Sequence, residues 1–144
     1  YLYNYHNVKA SPAPYFNLEE EHMLHDLVKN LIKNSLINSA HDCADGGLFI
    51  TLAEMAMTGG LGFEVNANPG LRKDAYLFGE VQGRAVVSVP KEKEEKFIKF
   101  SEKYNTPIER IGKVIEKDFI IDNEKFGTVE YCKDIYDNAL ASNL

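Results

Sequence analysis

The sequence predicts an α+β domain in which helices pack on a mixed β-sheet. Amphipathic helical stretches alternate with short apolar runs, some of those runs follow one another directly, and others are separated by a helix that makes a crossover. Read along the chain, the order is helix, strand, helix, strand, strand, helix, strand, strand, helix. The 144 residues are 44% hydrophobic and 26% charged, the balance of an ordinary globular chain. A chain of this length buries roughly 68 to 70% of its unfolded surface and folds as a single domain.

Residues 1–16 read as an arm connecting to another domain, aromatic and interrupted by Pro12 and Pro14, and residues 17–144 as the domain itself. Asn17 with Glu20 three residues later makes a capping-box-like start. Met23, Leu24, Leu27, Val28, Leu31 and Ile32 then recur on one face of a helix predicted over 18–34. A short strand follows over 37–42. The second helix, over 46–57, takes Asp45 as its N-cap, packs through Leu48, Leu52, Ala53, Met55 and Ala56, and ends at Gly59 and Gly60. A strand over 61–67, a turn at Asn68, Pro69 and Gly70, and a segment from Asp74 to Phe78 lead to a loop running from Gly79 to Arg84. Residues 85–89 read as a buried strand, and 91–104 as a helix that turns Phe97, Ile98, Phe100 and Tyr104 inward before Pro107. Strands over 108–115 and 119–122 and a helix from about 132 to 140 close the chain.

The net charge of −6, with 22 acids against 16 Lys and Arg, disfavours a nucleic-acid partner. Lys91, Lys93, Lys96, Lys99 and Lys103 interleave with glutamates, and Glu92/Lys96 and Glu95/Lys99 stand at the favourable i,i+4 spacing of a solvated helix face. No apolar stretch approaches the ~20 residues of a membrane span. Cys43 and Cys132 fit no metal-ligand spacing and read as a reduced pair, so the expected location is the cytoplasm. The opening Tyr1-Leu2-Tyr3-Asn4-Tyr5, without methionine, reads as a piece of a longer protein.

Chemistry concentrates between the first strand and the second helix, in Ser39-Ala40-His41-Asp42-Cys43-Ala44-Asp45-Gly46-Gly47-Leu48. Asp45, Gly46 and Gly47 suit either an anion held on open helix amides, with or without a bridging metal, or plain capping and close packing. His41 and Asp42 suit either orientation of a ligand or a buried hydrogen-bonded pair. In the later loop Glu80, Gln82 and Arg84 are the polar candidates, with a Glu80/Arg84 salt bridge as the simpler alternative to substrate contact.

Taken in order, the run from Ser39 to Ala56, Leu77-Phe78-Gly79-Glu80-Val81-Gln82-Gly83-Arg84 and Ile111-Gly112-Lys113-Val114, preceded by Pro14-Tyr15-Phe16-Asn17-Leu18-Glu19, resembles the last domain of the phosphoribosylformylglycinamidine synthase family. That family lies in the superfamily of aminoimidazole ribonucleotide synthetase, whose C-terminal half-domain pairs with an ATP-binding half-domain. The resemblance implies a parent enzyme of de novo purine synthesis. It uses ATP and Mg2+ to activate the amide oxygen of formylglycinamide ribonucleotide, which ammonia from a glutaminase subunit or domain then displaces. The family's ATP, metal and catalytic histidine motifs would precede this chain. The resemblance therefore implies no catalytic residue, metal ligand or cofactor in the fragment itself, which is expected to be inactive alone.

Relative to the family, Ala44 replaces a usual serine and Gly79-Glu80-Val81 a Ser-Glu-Ser type of loop, which removes hydroxyl donors. His41, Asp42, Asp45, Gly46, Gly47, Glu80, Gln82 and Arg84 remain as candidate substrate- or phosphate-binding residues, or as a polar network fixing the two loops, which are expected side by side at one end of the domain. Two other readings are a relative such as selenophosphate synthetase or thiamine phosphate kinase, against which the Leu-Phe-Gly-Glu loop argues, and a non-catalytic scaffold half.

Tyr1, Tyr3, Tyr5, Tyr15 and Phe16 read as a strip that packs on the missing ATP-binding domain. Without that neighbour the chain is expected to form a homodimer through this face or to leave the arm mobile. Light scattering on the whole chain and on a form cut before Asn17 checks this; a strict monomer with its arm packed on its own core refutes it.

Overall fold

The computed structural model describes residues 2–10, 12–67 and 70–141. The arm carries a short helix, α1 (Leu2–His6), that its sequence did not announce. Tyr3, Tyr5, Tyr15 and Phe16 are exposed, and Tyr1 lies outside the described residues. Helix α2 (Leu18–Lys33) begins where expected because the Asn17 side chain accepts hydrogen bonds from the amides of Glu19 (2.9 Å) and Glu20 (3.3 Å). Glu20 does not complete a capping box; it accepts instead from the Tyr15 hydroxyl at 3.1 Å.

Two apolar clusters organise the remainder. Leu27 and Leu31 of α2 join Leu36 and Phe97 in the smaller one, while Ile32, assigned to the same face from its spacing, is exposed. Phe97 sits on α5 (Glu94–Ser101), which a 3-10 turn over Lys91–Lys93 precedes, so the expected continuous helix to residue 104 is shorter and Ile98 points to solvent. The larger cluster forms around α3 (Gly47–Gly59), whose Leu48, Leu52, Ala53 and Ala56 pack on Phe63 and Val65 of β2 (Gly62–Val65) and on Phe119 and Ile121 of β5 (Asp118–Ile121). The rings of Phe63 and Phe119 stack at 4.6 Å. Each such side chain contributes about 1.5–3 kcal/mol on burial.

The strands divide into two sheets. β1 (Ser39–Asp42) pairs antiparallel with β3 (Ala85–Ser88) as a two-stranded ribbon, and a four-stranded mixed sheet has the order β4-β2-β5-β6. In it β2 runs antiparallel to β4 (Gly112–Ile115) and parallel to β5, and β5 turns back into β6 (Glu124–Thr128). This is the α+β, mixed-sheet fold the sequence predicts.

Several elements differ from expectation. β3 is only partly buried, because it belongs to the narrow ribbon. The segment before the second loop is a helix, α4 (Lys73–Phe78), too short for its periodicity to register. β6 escapes a pattern search because most of it is exposed; it exists through the turn at Asp122 (φ 51°) and Asn123 (φ 65°), a left-handed pair of the kind that closes a two-residue hairpin. α6 (Val129–Asn138) starts earlier than expected, since Thr128 caps it by accepting from Tyr131 N–H at 3.2 Å. The turn at Asn68 and Pro69 lies outside the described residues.

The hairpin turn also fastens the chain entering α4. Asp122 accepts from Ala67 N–H at 2.8 Å, and its other carboxylate oxygen lies 3.0 Å from Lys73 Nζ. The Ala67 amide first, and then Lys73, hold the Asp122 carboxyl below the usual carboxylate range. A pKa lowered by folding stabilises the native state above the unfolded pKa, and that contribution is lost as pH falls through the folded value. The margin in urea midpoint of the wild type over Asp122→Asn, which keeps the left-handed turn, is therefore expected to shrink on acidification below about pH 4. A margin independent of pH would contradict it.

Candidate functional site

The two loops singled out in the sequence meet at the N-terminal end of α3. Gly46 (φ 80°) and Gly47 (φ 67°) carry the chain from β1 into the helix in a left-handed conformation that costs other residues about 1–2 kcal/mol. A Cβ on Gly47 would lie 2.9 Å from the Leu77 carbonyl oxygen, so glycine here also lets α3 and α4 touch backbone to backbone. Across that contact Gly46 N–H donates to Glu80 Oε1 at 2.9 Å. A carboxylate thus sits where the helix N-terminus presents unpaired amides and positive potential. It comes from the second loop, not from Asp45. Asp45 is exposed, and Gly46 occupies the cap position with no side-chain cap.

Arg84 does not pair with Glu80. Its guanidinium donates to the carbonyls of Gly79 (3.1 Å) and Tyr76 (3.4 Å), satisfying the C-terminal end of α4, while its own carbonyl accepts from Cys43 N–H at 2.9 Å and extends the β1/β3 ribbon. Arg84 is therefore the joint between the loops on the ribbon side, as Glu80 is on the helix side. Gln82 is exposed at the tip of the second loop. At Gly79 a Cβ would fall 2.3 Å from the Ala75 carbonyl oxygen.

The side chains of His41 and Asp42 make no bond to Glu80 or Arg84 at this junction. The Asp42 side chain is 80% exposed, so the pair is not a buried one. Its carbonyl oxygen instead lies 2.7 Å from His41 Nδ1 and 3.1 Å from the buried Thr51 hydroxyl, tying β1 to α3. The other ring nitrogen of His41 faces Glu54 at 3.3 Å, about two turns along α3 from Gly46, in a groove shared with Lys133, Tyr136 and Asp137 of α6. Tyr76, which the sequence did not single out, is buried beneath the second loop; burial first, and then the Glu109 charge, push its phenol up.

The junction does not fit a magnesium nucleotide. Arg84 is committed to carbonyls, Glu80 and Asp45 would oppose a phosphate, and among the described residues no three His, Cys, Asp or Glu side chains group so as to hold a metal.

Residues 10–122 match the family described as AIR synthase related protein, C-terminal domain. The chain is 39% identical over 115 residues to "Phosphoribosylformylglycinamidine synthase subunit PurL" of Caldanaerobacter subterraneus subsp. tengcongensis, covering 80% of this chain and 16% of that protein. It is 34% identical over 141 residues to the PurL of Azorhizobium caulinodans, covering 97% of this chain and 19% of the relative. It thus spans under a fifth of the length of the relatives it matches. In structure it is similar to T. maritima PurL complexed with FGAR (TM-score 0.69, 22% identity, 87% of this chain and 23% of the other) and to the same protein complexed with ATP (TM-score 0.62, 23% identity, 77% and 21%). These structural likenesses show the fold.

Gly47→Ala combines left-handed strain with overpacking against Leu77 and is expected to cost about 3 kcal/mol, seen as a lower urea midpoint. A change within error would show that α3 and α4 do not depend on their close approach.

Proposed function

The chain belongs to the AIR synthase related protein family, as its C-terminal domain, and from that membership we propose that it serves as the last domain of a phosphoribosylformylglycinamidine synthase. The parent reaction is then ATP-dependent carbon–nitrogen ligation, in which formylglycinamide ribonucleotide becomes its amidine with ammonia drawn from glutamine. The observation that carries this reading is the match to the family and to its PurL relatives over most of the chain, and the Gly46–Glu80 hydrogen bond, which joins the two loops at one end of the domain, is in keeping with it. That end suits a half-domain that closes over a substrate held by its neighbour.

In this reading residues 1–16 connect to an ATP-binding domain and residues 17–144 form the C-terminal half-domain. ATP and Mg2+ are held by the rest of the parent, which also engages a glutaminase subunit or domain. His41, Asp42, Asp45, Gly46, Gly47, Glu80, Gln82 and Arg84 divide into three roles. Gly46, Gly47, Glu80 and Arg84 shape the junction, and the exposed Asp42, Asp45 and Gln82 face outward, available to substrate or to the neighbouring domain. His41 supports β1 on α3. The reading also puts the chain in the cytoplasm, in keeping with free Cys43 and Cys132. Among the described residues no helix is long and apolar enough to cross a membrane.

The isolated chain is expected to show no turnover with formylglycinamide ribonucleotide, ATP and ammonia, whereas the full parent polypeptide turns over. Amidine formation by the chain alone above a protein-free blank, or undiminished formation by a parent lacking residues 17–144, would sink the proposal.

A further inference from the structure

The junction has a third support outside the stretch that matches the family. Phe126 stands on β6, beyond residue 122 where the family match ends. Its ring meets Phe49 edge-on at 6.2 Å, and Phe49 in turn meets Phe78 at 5.7 Å. Phe49 lies two residues after Gly47, and Phe78 two residues before Glu80. The middle and far rings of this aromatic chain therefore stand three residues after the donor and two before the acceptor of the hydrogen bond that joins the loops on the helix side.

Lys73, the first residue of α4, is held by the same hairpin. Its ammonium lies 5.5 Å from the Phe126 ring centroid, 3.0 Å from Asp122 and 3.6 Å from Glu124. α4 is thereby held at its start by the hairpin and at its end by Arg84. Phe126 and Phe78 are both more than 40% exposed, so hydrophobic burial alone gives a weak account of why these rings converge.

We propose that Phe126 and Lys73 are positioning residues: the β5/β6 hairpin sets the relative placement of α3 and α4, and so keeps Gly46 N–H on the Glu80 carboxylate. Neither residue touches substrate in this account. Both act through Phe49, Phe78 and the axis of α4. The proposal rests on the reading of this junction as the working end of the domain only for its importance to the parent enzyme, not for its truth.

The test follows the Gly46 amide by hydrogen exchange in the 15N-labelled chain, with the Leu31 amide of the other apolar cluster reporting global unfolding. One lost aromatic contact is expected to speed Gly46 exchange by about three- to ten-fold in Phe126→Ala, with Leu31 lagging behind. Phe126→Tyr should restore the wild-type rate and the wild-type Gly46 cross-peak position, and Lys73→Met should move Gly46 in the same direction by less. Equal acceleration at Gly46 and Leu31 would show a role in stability alone and overturn the proposal, as would an unchanged Gly46 in Phe126→Ala. Because the readout needs no substrate, failure of the proposed function in the parent would leave this result standing, and failure here would leave the function untouched.

Discussion

One hydrogen bond, from Gly46 N–H to the Glu80 carboxylate, fixes the helix side of the junction where the two loops meet. It joins segments far apart in the chain, and it does so at the positive end of a 13-residue helix, where a carboxylate is worth more than at a neutral amide. The glycines are prerequisites for it. Gly47 brings α4 against α3 closely enough for Glu80 to reach, and Gly46 aims its amide outward instead of into a helical bond. Arg84 completes the arrangement by satisfying carbonyls of α4 that would otherwise be left without partners.

α3 is the element on which these constraints converge. One face is apolar and lies on Phe63, Val65, Phe119 and Ile121; Thr51 is its buried polar contact, bonded between the carbonyls of Asp42 and Gly47. The helix therefore transmits the position of the four-stranded sheet to the loop at its start. The β1/β3 ribbon touches both clusters, Val86 packing against the larger and Val87 against the smaller one around Leu31.

Elements with long, regular patterns were legible in the sequence, and short ones were not. The apolar spacing of Leu27 and Leu31, the Asn17 cap and the Gly60 terminus all identify their helices, because each depends on residues close in the chain. α4 has six residues and β6 is mostly exposed, so neither has a periodicity to read; both are fixed by partners far away in sequence, Lys73 through Asp122 and Phe126 through Phe49. The composition of the candidate site was visible in the same way, but its wiring was not. Asp45 is a good cap by residue type, yet Glu80 takes the amide, and the i,i+4 spacing of Glu80 and Arg84 suggests a pair that the non-helical loop keeps apart. His41 adjoins the motif in sequence, but strand alternation turns its ring along α3 toward Glu54.

The parallel pairing of β2 with β5 has a consequence for how the chain folds. Everything from Asn66 to Lys117 intervenes between these neighbours, including β3, α5 and β4. Closing so long a loop costs chain entropy that contacts such as the Phe63/Phe119 stack must offset, so this pairing is expected to form late. On the ribosome, α3 is complete 60 residues before Phe119 is added, so part of its apolar face waits uncovered over that stretch of synthesis. Apolar surface exposed in that interval favours aggregation and chaperone binding.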